Sequence, residues 1–254
     1  MKAFKVPWLA ANLMYHDMQG DGTPIILIHG LGCASSCDYP AVASDPCLVG
    51  KRIILVDLLG SGFSERPIEF AYTIEEHTKV LASFISEVCS EPISLFGHSM
   101  GGAIAIATAA QLGGKVRRIA LGEPNLDAGG GVFSKQIASM TEHDYVMRGH
   151  QETANNARAN GNVIWASSLS RSAAYAIHRG VSSLVAGSTP SWRKTLYEMM
   201  IPKTVIFGAR SLPNADFESL QYYGCSVEVV AEAGHSMAWD NPSGLATALR
   251  NSFS

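Results

Sequence analysis

Short runs of apolar, largely β-branched residues at 25–28, 52–56, 93–96, 118–121, 204–207 and 226–230 constrain this chain more than any other feature. Most of them do not alternate polar with apolar, which is the pattern of strands covered on both faces. Between them lie stretches with helical spacing at 73–88, 101–112, 214–223 and 243–253. Strand and helix in alternation predict an α/β fold, a mostly parallel doubly wound sheet with helices on both sides. Residues 5–17 are expected to add an antiparallel partner at the start. The rhythm breaks at 126–200, which offers helix-like pieces rich in Ala, Ser, Met and Trp and no convincing strand. The expected organisation is therefore a core formed by 1–125 and 201–254, with a helical cap of 126–200 inserted between two sheet strands.

Composition fits one large core. Of the 254 residues 47% are hydrophobic and only 16% charged, against about 25% charged in an ordinary domain. A formal net charge of -3 gives no electrostatic case for nucleic acid or an anionic membrane surface. The apolar stretch after Lys2 and Lys5 is short and interrupted by Pro7, Asn12 and His16, a poor secretory signal. No segment approaches the roughly 20 uninterrupted apolar residues that span a bilayer, so a soluble, cytoplasmic chain is expected. The sequence does not fix the oligomeric state and leaves a homodimer open. Five cysteines, an odd number in a chain too long to need staples, read as reduced and mostly buried thiols. Cys33 and Cys37 have a suggestive spacing, but no second Cys/His pair follows at zinc-site spacing, so no metal is expected. Gly129-Gly130-Gly131 reads as a hinge, because no Gly-Lys-Ser/Thr follows to make a phosphate loop.

The strongest chemical signal is Gly97-His98-Ser99-Met100-Gly101-Gly102, which follows the run 93–96 at once and opens a helix of small residues. Glycines two positions either side of a serine allow a sharp strand-to-helix turn that exposes Oγ at a helix N-terminus. An ordinary Gly-rich turn is the competing explanation, and the strand before and helix after make it the weaker one. Ser99 is the candidate nucleophile. His29-Gly30-Leu31-Gly32 ends the run 25–28, and a turn of this kind can aim backbone N–H groups at a developing oxyanion. Leu31 and Met100, the residue after the nucleophile, are the expected donors. Gly30-Leu31-Gly32-Cys33-Ala34-Ser35 also approximates a dinucleotide fingerprint, with Asp57 as the ribose acid. Its third glycine is replaced by Ser35, and the chain has no Tyr-x-x-x-Lys pair.

A lone histidine is usually an ordinary surface or core residue, and His16, His77, His143, His150 and His178 are read that way. His235 differs, since Ala233-Gly234-His235-Ser236-Met237 follows the run 226–230, at the sheet edge where catalytic groups of open α/β sheets collect. A serine hydroxyl needs such a base to be nucleophilic at neutral pH.

With the loop Asp57-Leu58-Leu59-Gly60-Ser61-Gly62-Phe63-Ser64, these segments make the chain resemble the α/β-hydrolase fold family. The resemblance covers both halves of the sheet and leaves the cap unmatched. It implies a Ser, acid, His triad in that chain order, an oxyanion hole from Leu31 and Met100, and a cap over the site. At the acid the sequence departs from the family, where an Asp commonly stands three residues after the glycine that follows the run 204–207. Here that position is Ser211. Glu123, at the end of the preceding run, and Asp216, farther down the loop, remain, with Asp127 behind them; haloalkane dehalogenases and zearalenone lactonase resemble this chain in placing the acid at the earlier strand. Glu123 is preferred, because it ends a strand beside the elbow strand and Pro124 fixes the exit of the chain. Asp216 can be explained as a first-turn helix acid, and Glu123 as a partner of Arg210.

The reading is a cofactor-independent serine hydrolase acting on a carboxylic ester or lactone of a fairly apolar small molecule. Trp165 in the cap, with Met237 and Trp239 beside His235, is expected to wall the substrate cavity. A serine nucleophile argues against dehalogenase or epoxide hydrolase chemistry, which requires a carboxylate. Carbon–carbon bond hydrolase, perhydrolase and acyltransferase activities fit the same triad, and a small-molecule receptor fits the same scaffold.

Overall fold

The computed structural model describes residues 1–254. Eight strands form one sheet in the order β1-β2-β4-β3-β5-β6-β7-β8. They are β1 (Lys2–Lys5), β2 (Asn12–Met18), β3 (Asp21–Ile28), β4 (Lys51–Val56), β5 (Ile93–His98), β6 (Val116–Gly122), β7 (Lys203–Gly208) and β8 (Ser226–Val230). β1 pairs antiparallel with β2 and β2 antiparallel with β4, while every pairing from β4 to β8 is parallel. The fold is thus the mostly parallel α/β sheet that the non-alternating runs predict, with the expected antiparallel addition at its start. β4 to β7 are buried along nearly their whole length, as strands covered on both faces must be.

Two helices pack on one face. Ile74–Val88 (α1) begins at Thr73, whose hydroxyl accepts the Glu76 N–H at 3.1 Å, a capping bond that satisfies one orphan donor of the first turn. Met100–Leu112 (α2) is buried on almost all sides, and its Gly and Ala residues let it lie tightly between the sheet and α1. The C-terminal helix Pro242–Ser252 covers the other face. The apolar clusters on the two faces contain 39 and 19 buried residues, so the main core lies under α1 and α2. The helix expected at 214–223 forms only as Phe217–Tyr222. Its start is displaced because Asn214 Oδ1 accepts the Asp216 N–H at 2.9 Å, and this side-chain turn competes with the first helical turn.

Between β6 and β7 the chain is helical and contributes no strand. The helices Val132–Ala138, Val163–Leu169 and Ala174–Ala186 surround a small apolar cluster that includes Ile137, Tyr145, Leu169, Ile177 and Val181. Leu31 packs against both this cluster and the main core. Arg66 and Tyr175 add bonds across the junction, from Arg66 to the Arg171 carbonyl at 2.8 Å and from the Tyr175 hydroxyl to the Arg66 carbonyl at 2.6 Å. No helix is long and apolar enough to cross a membrane.

His77, on α1, packs edge-on against Phe70 with ring centroids 5.3 Å apart, and its Nδ1 is buried without a partner. Burial, with the nearby His29, pushes its pKa down to about 3 from an ordinary 6.5. The native state therefore refuses a proton that the unfolded chain accepts below pH 6.5, and stability falls as pH drops from about 6.5 toward about 3. In His77→Phe the acid limb of a stability-versus-pH curve should be shallower, by up to roughly 1.4 kcal/mol per pH unit. Denaturant titrations at pH 7, 5.5 and 4.5 measure it, and identical slopes in the two proteins would contradict this origin of acid sensitivity.

Candidate active site

β5 and α2 meet at Ser99, whose φ of 54° and ψ of −119° lie where side-chain-bearing residues are rarely found. The turn is held by its own backbone. Ser99 N–H donates to the Gly122 carbonyl at 2.9 Å, and the Ser99 carbonyl accepts from Gly102 N–H at 2.9 Å and Asn125 N–H at 3.2 Å. The flanking glycines are required by close approach: a Cβ on Gly97 would collide with the Gly101 carbonyl, and one on Gly101 with the His29 carbonyl. A Cβ on Gly102 would lie 2.6 Å from Pro124 Cβ, so the start of α2 and the end of β6 lie in direct contact.

Glu123 follows β6 with a φ of 39°. Its N–H donates to the Ile206 carbonyl at 3.0 Å, which ties the turn to β7. The carboxylate spans the next two strand ends: Oε1 accepts the Gly208 N–H at 2.9 Å, and Oε2 accepts from His235 Nδ1 at 2.6 Å. Burial opposes its ionisation, but bonding to His235, to Ser211 and to the Gly208 N–H prevails and holds its pKa at about 2. The imidazole is held from both sides. Gly208 has no side chain to obstruct the loop, since a Cβ there would run into the Gly234 and Ala233 carbonyls. The Gly234 N–H donates to Asp240 Oδ2 at 2.8 Å, and His98 Nε2–H donates to the His235 carbonyl at 2.8 Å.

Asp216 and Asp127 are not near the imidazole. Both are drawn to Arg193, at 3.0 Å and 2.6 Å. Arg210 bonds the Glu232 carbonyl, not Glu123. Asp57 is likewise committed: Oδ1 accepts the Ser36 N–H at 2.9 Å, and Oδ2 accepts the Ser36 hydroxyl at 2.7 Å and the Phe63 N–H at 3.0 Å. A carboxylate buried in joining two loops is not presented to a ribose.

Ser99, Glu123, His235, Leu31 and Trp165 line one cavity of about 430 Å³. The Leu31 N–H has no backbone acceptor in the chain, whereas its carbonyl accepts the Trp165 indole N–H at 2.8 Å. His29 steadies the same turn from beneath, with Nδ1–H donating to the Gly30 carbonyl at 2.8 Å and Nε2 accepting the Leu58 N–H at 3.0 Å. Met100 is buried at the start of α2 and lines, with Leu31, a small void behind this turn. No hydrogen bond joins Ser99 to His235; the hydroxyl faces Asn125 Oδ1 at 3.5 Å. Such bonds commonly tighten only when substrate is present. Met237 and Trp239 are on the far side of His235, where they wall a neighbouring cavity.

Two residues of the site have no sequence signal of their own. Asn125 faces the serine, and its place could be found only by knowing how the chain leaves β6. His98 lies against His235 with ring centroids 4.6 Å apart and the rings tilted by 47°, and burial, reinforced by His235, pushes its pKa to about 3. A neutral His98 can therefore lie against a histidine that becomes charged.

The alpha/beta hydrolase fold family matches residues 23–205. Over 106 residues the chain is 34% identical to a 2-hydroxymuconate semialdehyde hydrolase of Pseudomonas putida, covering 42% of this chain and 37% of that protein. It thus matches well under half the length of that relative. The fold extends further than the sequence likeness. An esterase from Exiguobacterium antarcticum superposes with a TM-score of 0.81 at 17% identity, covering 98% of this chain and 97% of the other, and an N-acyl homoserine lactonase with 0.73 at 19%, covering 95% and 93%. A matched family extending across most of the sheet, together with the elbow at Ser99, makes this chain a member of the α/β-hydrolase fold family.

Proposed function

We propose that the protein is a cofactor-independent serine hydrolase that cleaves a carboxylic ester or lactone of a fairly apolar small molecule. The observation that carries this reading is the Glu123 carboxylate, 2.6 Å from His235 Nδ1, in a cavity shared with Ser99 and Leu31. A carboxylate at that nitrogen keeps the proton on Nδ1 and leaves Nε2 free to act as base. Ser99 Oγ would then attack the carbonyl carbon while its proton passes to Nε2. The oxyanion would be held by the N–H groups of Leu31 and Met100, the geometry in which fixed donors contribute most. Collapse breaks the bond to the alcohol oxygen, which leaves with the proton from Nε2. Water, deprotonated by the same nitrogen, releases the acid and restores the hydroxyl. In this reading residues 126–200 are the cap on a core of 1–125 and 201–254, and Trp165 walls the acyl side beside Val132 and Phe133.

The likeness to a 2-hydroxymuconate semialdehyde hydrolase favours, as a second reading, hydrolysis of a carbon–carbon bond next to a ketone by the same residues. Assaying a chromogenic ester series beside a vinylogous diketone separates the two, since the first reading expects the esters to be turned over faster. Negligible turnover of both with ligand-dependent stabilisation would support a receptor.

Ser99→Ala should reduce turnover by roughly 10⁴ or more with an unchanged circular dichroism spectrum, because members of a triad act as a unit. Near-normal rates, or a fluorophosphonate that fails to label Ser99, would overturn the assignment. Glu123→Gln removes the charge that stabilises the imidazolium and should lower kcat by about 10³ to 10⁴. Asp216→Asn and Asp127→Asn touch only the exposed Arg193 cluster and should stay within about threefold of wild type. A large loss in Asp216→Asn with normal activity in Glu123→Gln would reverse the choice of acid.

A further inference from the structure

Beyond His98 and His235 lies a second cavity, of about 500 Å³, which shares Cys33, Asn162, Trp165 and Ser236 with the first. Val163, Ile164, Met237 and Trp239 give it an apolar wall. Asp38 interrupts that wall. The residue is only 7% exposed, its Oδ1 accepts the Trp239 indole N–H at 3.2 Å, the Cys33 thiol is its other donor, and no lysine or arginine is paired with it. The other acid of the cavity, Asp240, is already engaged by the Gly234 N–H. Buried carboxylates are ordinarily paired, because removing one from water without a partner is costly. Burial raises the Asp38 carboxyl above the usual range, and the neutral donors Trp239 and Cys33 offset that only in part.

His235 is the common wall of the two cavities. The side with Ser99 and the Leu31 N–H must receive the carbonyl and its acyl group. The alcohol oxygen leaves with the proton from His235, and the space that opens beyond that ring is the second cavity. We propose that the second cavity is the subsite for the alcohol portion of the substrate, and that Asp38 accepts a hydrogen bond from a hydroxyl or ammonium group at its far end. The inference rests on the hydrolase reading and narrows it: the preferred esters are those whose alcohol portion is apolar along its length and ends in a hydrogen-bond donor.

Butyrate esters of three alcohols of matched length, ending in methyl, hydroxyl or primary amine, test this. A site built to bond a donor discriminates against the analogue that lacks it. In the wild type kcat/KM should be at least about tenfold higher for a donor-ended ester than for the methyl-ended one. Asp38→Leu should bring the ratio to within about twofold of one for both donors, whereas Asp38→Asn, which keeps an acceptor but loses the charge, should do so for the amine alone. Ile164→Trp, on the half-exposed face of a short helix, narrows the same cavity and should also erase the preference should either Asp38 variant fold poorly. Equal kcat/KM for all three esters, or a preference that survives Asp38→Leu, would overturn the proposal. If no ester is turned over and fluorophosphonate does not label Ser99, the hydrolase reading fails separately. Calorimetric titration of the free amino alcohol into the intact protein then reads the subsite alone. Binding lost in Asp38→Leu would support the site, and binding that is absent or unaltered would overturn it.

Discussion

The bond between Glu123 Oε2 and His235 Nδ1 joins residues 112 positions apart in the chain, and much of the molecule is arranged so that it can form. β6, β7 and β8 lie side by side and parallel, so their C-terminal ends emerge at one edge. Glu123 reaches across β7 from a left-handed backbone conformation, fastened there by the Ile206 carbonyl, and Gly208 yields both its N–H to the carboxylate and its missing side chain to the histidine loop. A short bond to an ionised, largely buried carboxylate is of the stronger kind. It fixes the imidazole while leaving that side chain 55% exposed to the cavity.

Ser99 imposes the opposite demand, an unfavourable backbone angle that must be held by its surroundings. Ser99 is kept at positive φ because the residues two either side have no Cβ and because α2, buried on nearly every face, cannot shift without opening the main core. Strain of this kind persists only where packing over-determines it. The contact of Gly102 with Pro124 couples the two demands, since the start of the helix behind the serine is also what the chain carrying Glu123 rests on.

These physical differences explain what the sequence made legible. Strands buried on both faces leave continuous apolar runs, and the elbow needs glycines at fixed offsets, so the sheet and the turn at Ser99 could be read directly. The position of its strand favours Glu123 over Asp216, and in the fold Glu123 lies against His235 and Asp216 against Arg193. The helix starts at Phe217, three residues later than the periodicity indicates, because a single side-chain turn at Asn214 outcompetes a helical turn, an effect of one bond that periodicity does not register. Met237 and Trp239 neighbour His235 in sequence yet wall a different cavity from Ser99, since adjacent residues in a tight loop point to different sides. Asp38 carries no motif at all. Its significance is burial without a cation, a property of the folded chain alone.

With Glu123, just after β6, bonded to His235, the carboxylates of Asp127 and Asp216 are engaged elsewhere. Asp127 near its start and Asp216 in the core after it both bind Arg193 near its end, closing the insertion onto the sheet. The two carboxylates are 49% and 40% exposed, and pairs open to water in this way contribute only about 1 kcal/mol or less. The firmer attachment is at the opposite side, where Leu31 packs into the cores of both parts and the Trp165 indole bonds the Leu31 carbonyl. One residue, Leu31, thus both anchors the insertion and ends the turn after β3, so any displacement of the insertion is transmitted to that turn through one hydrogen bond and one side chain.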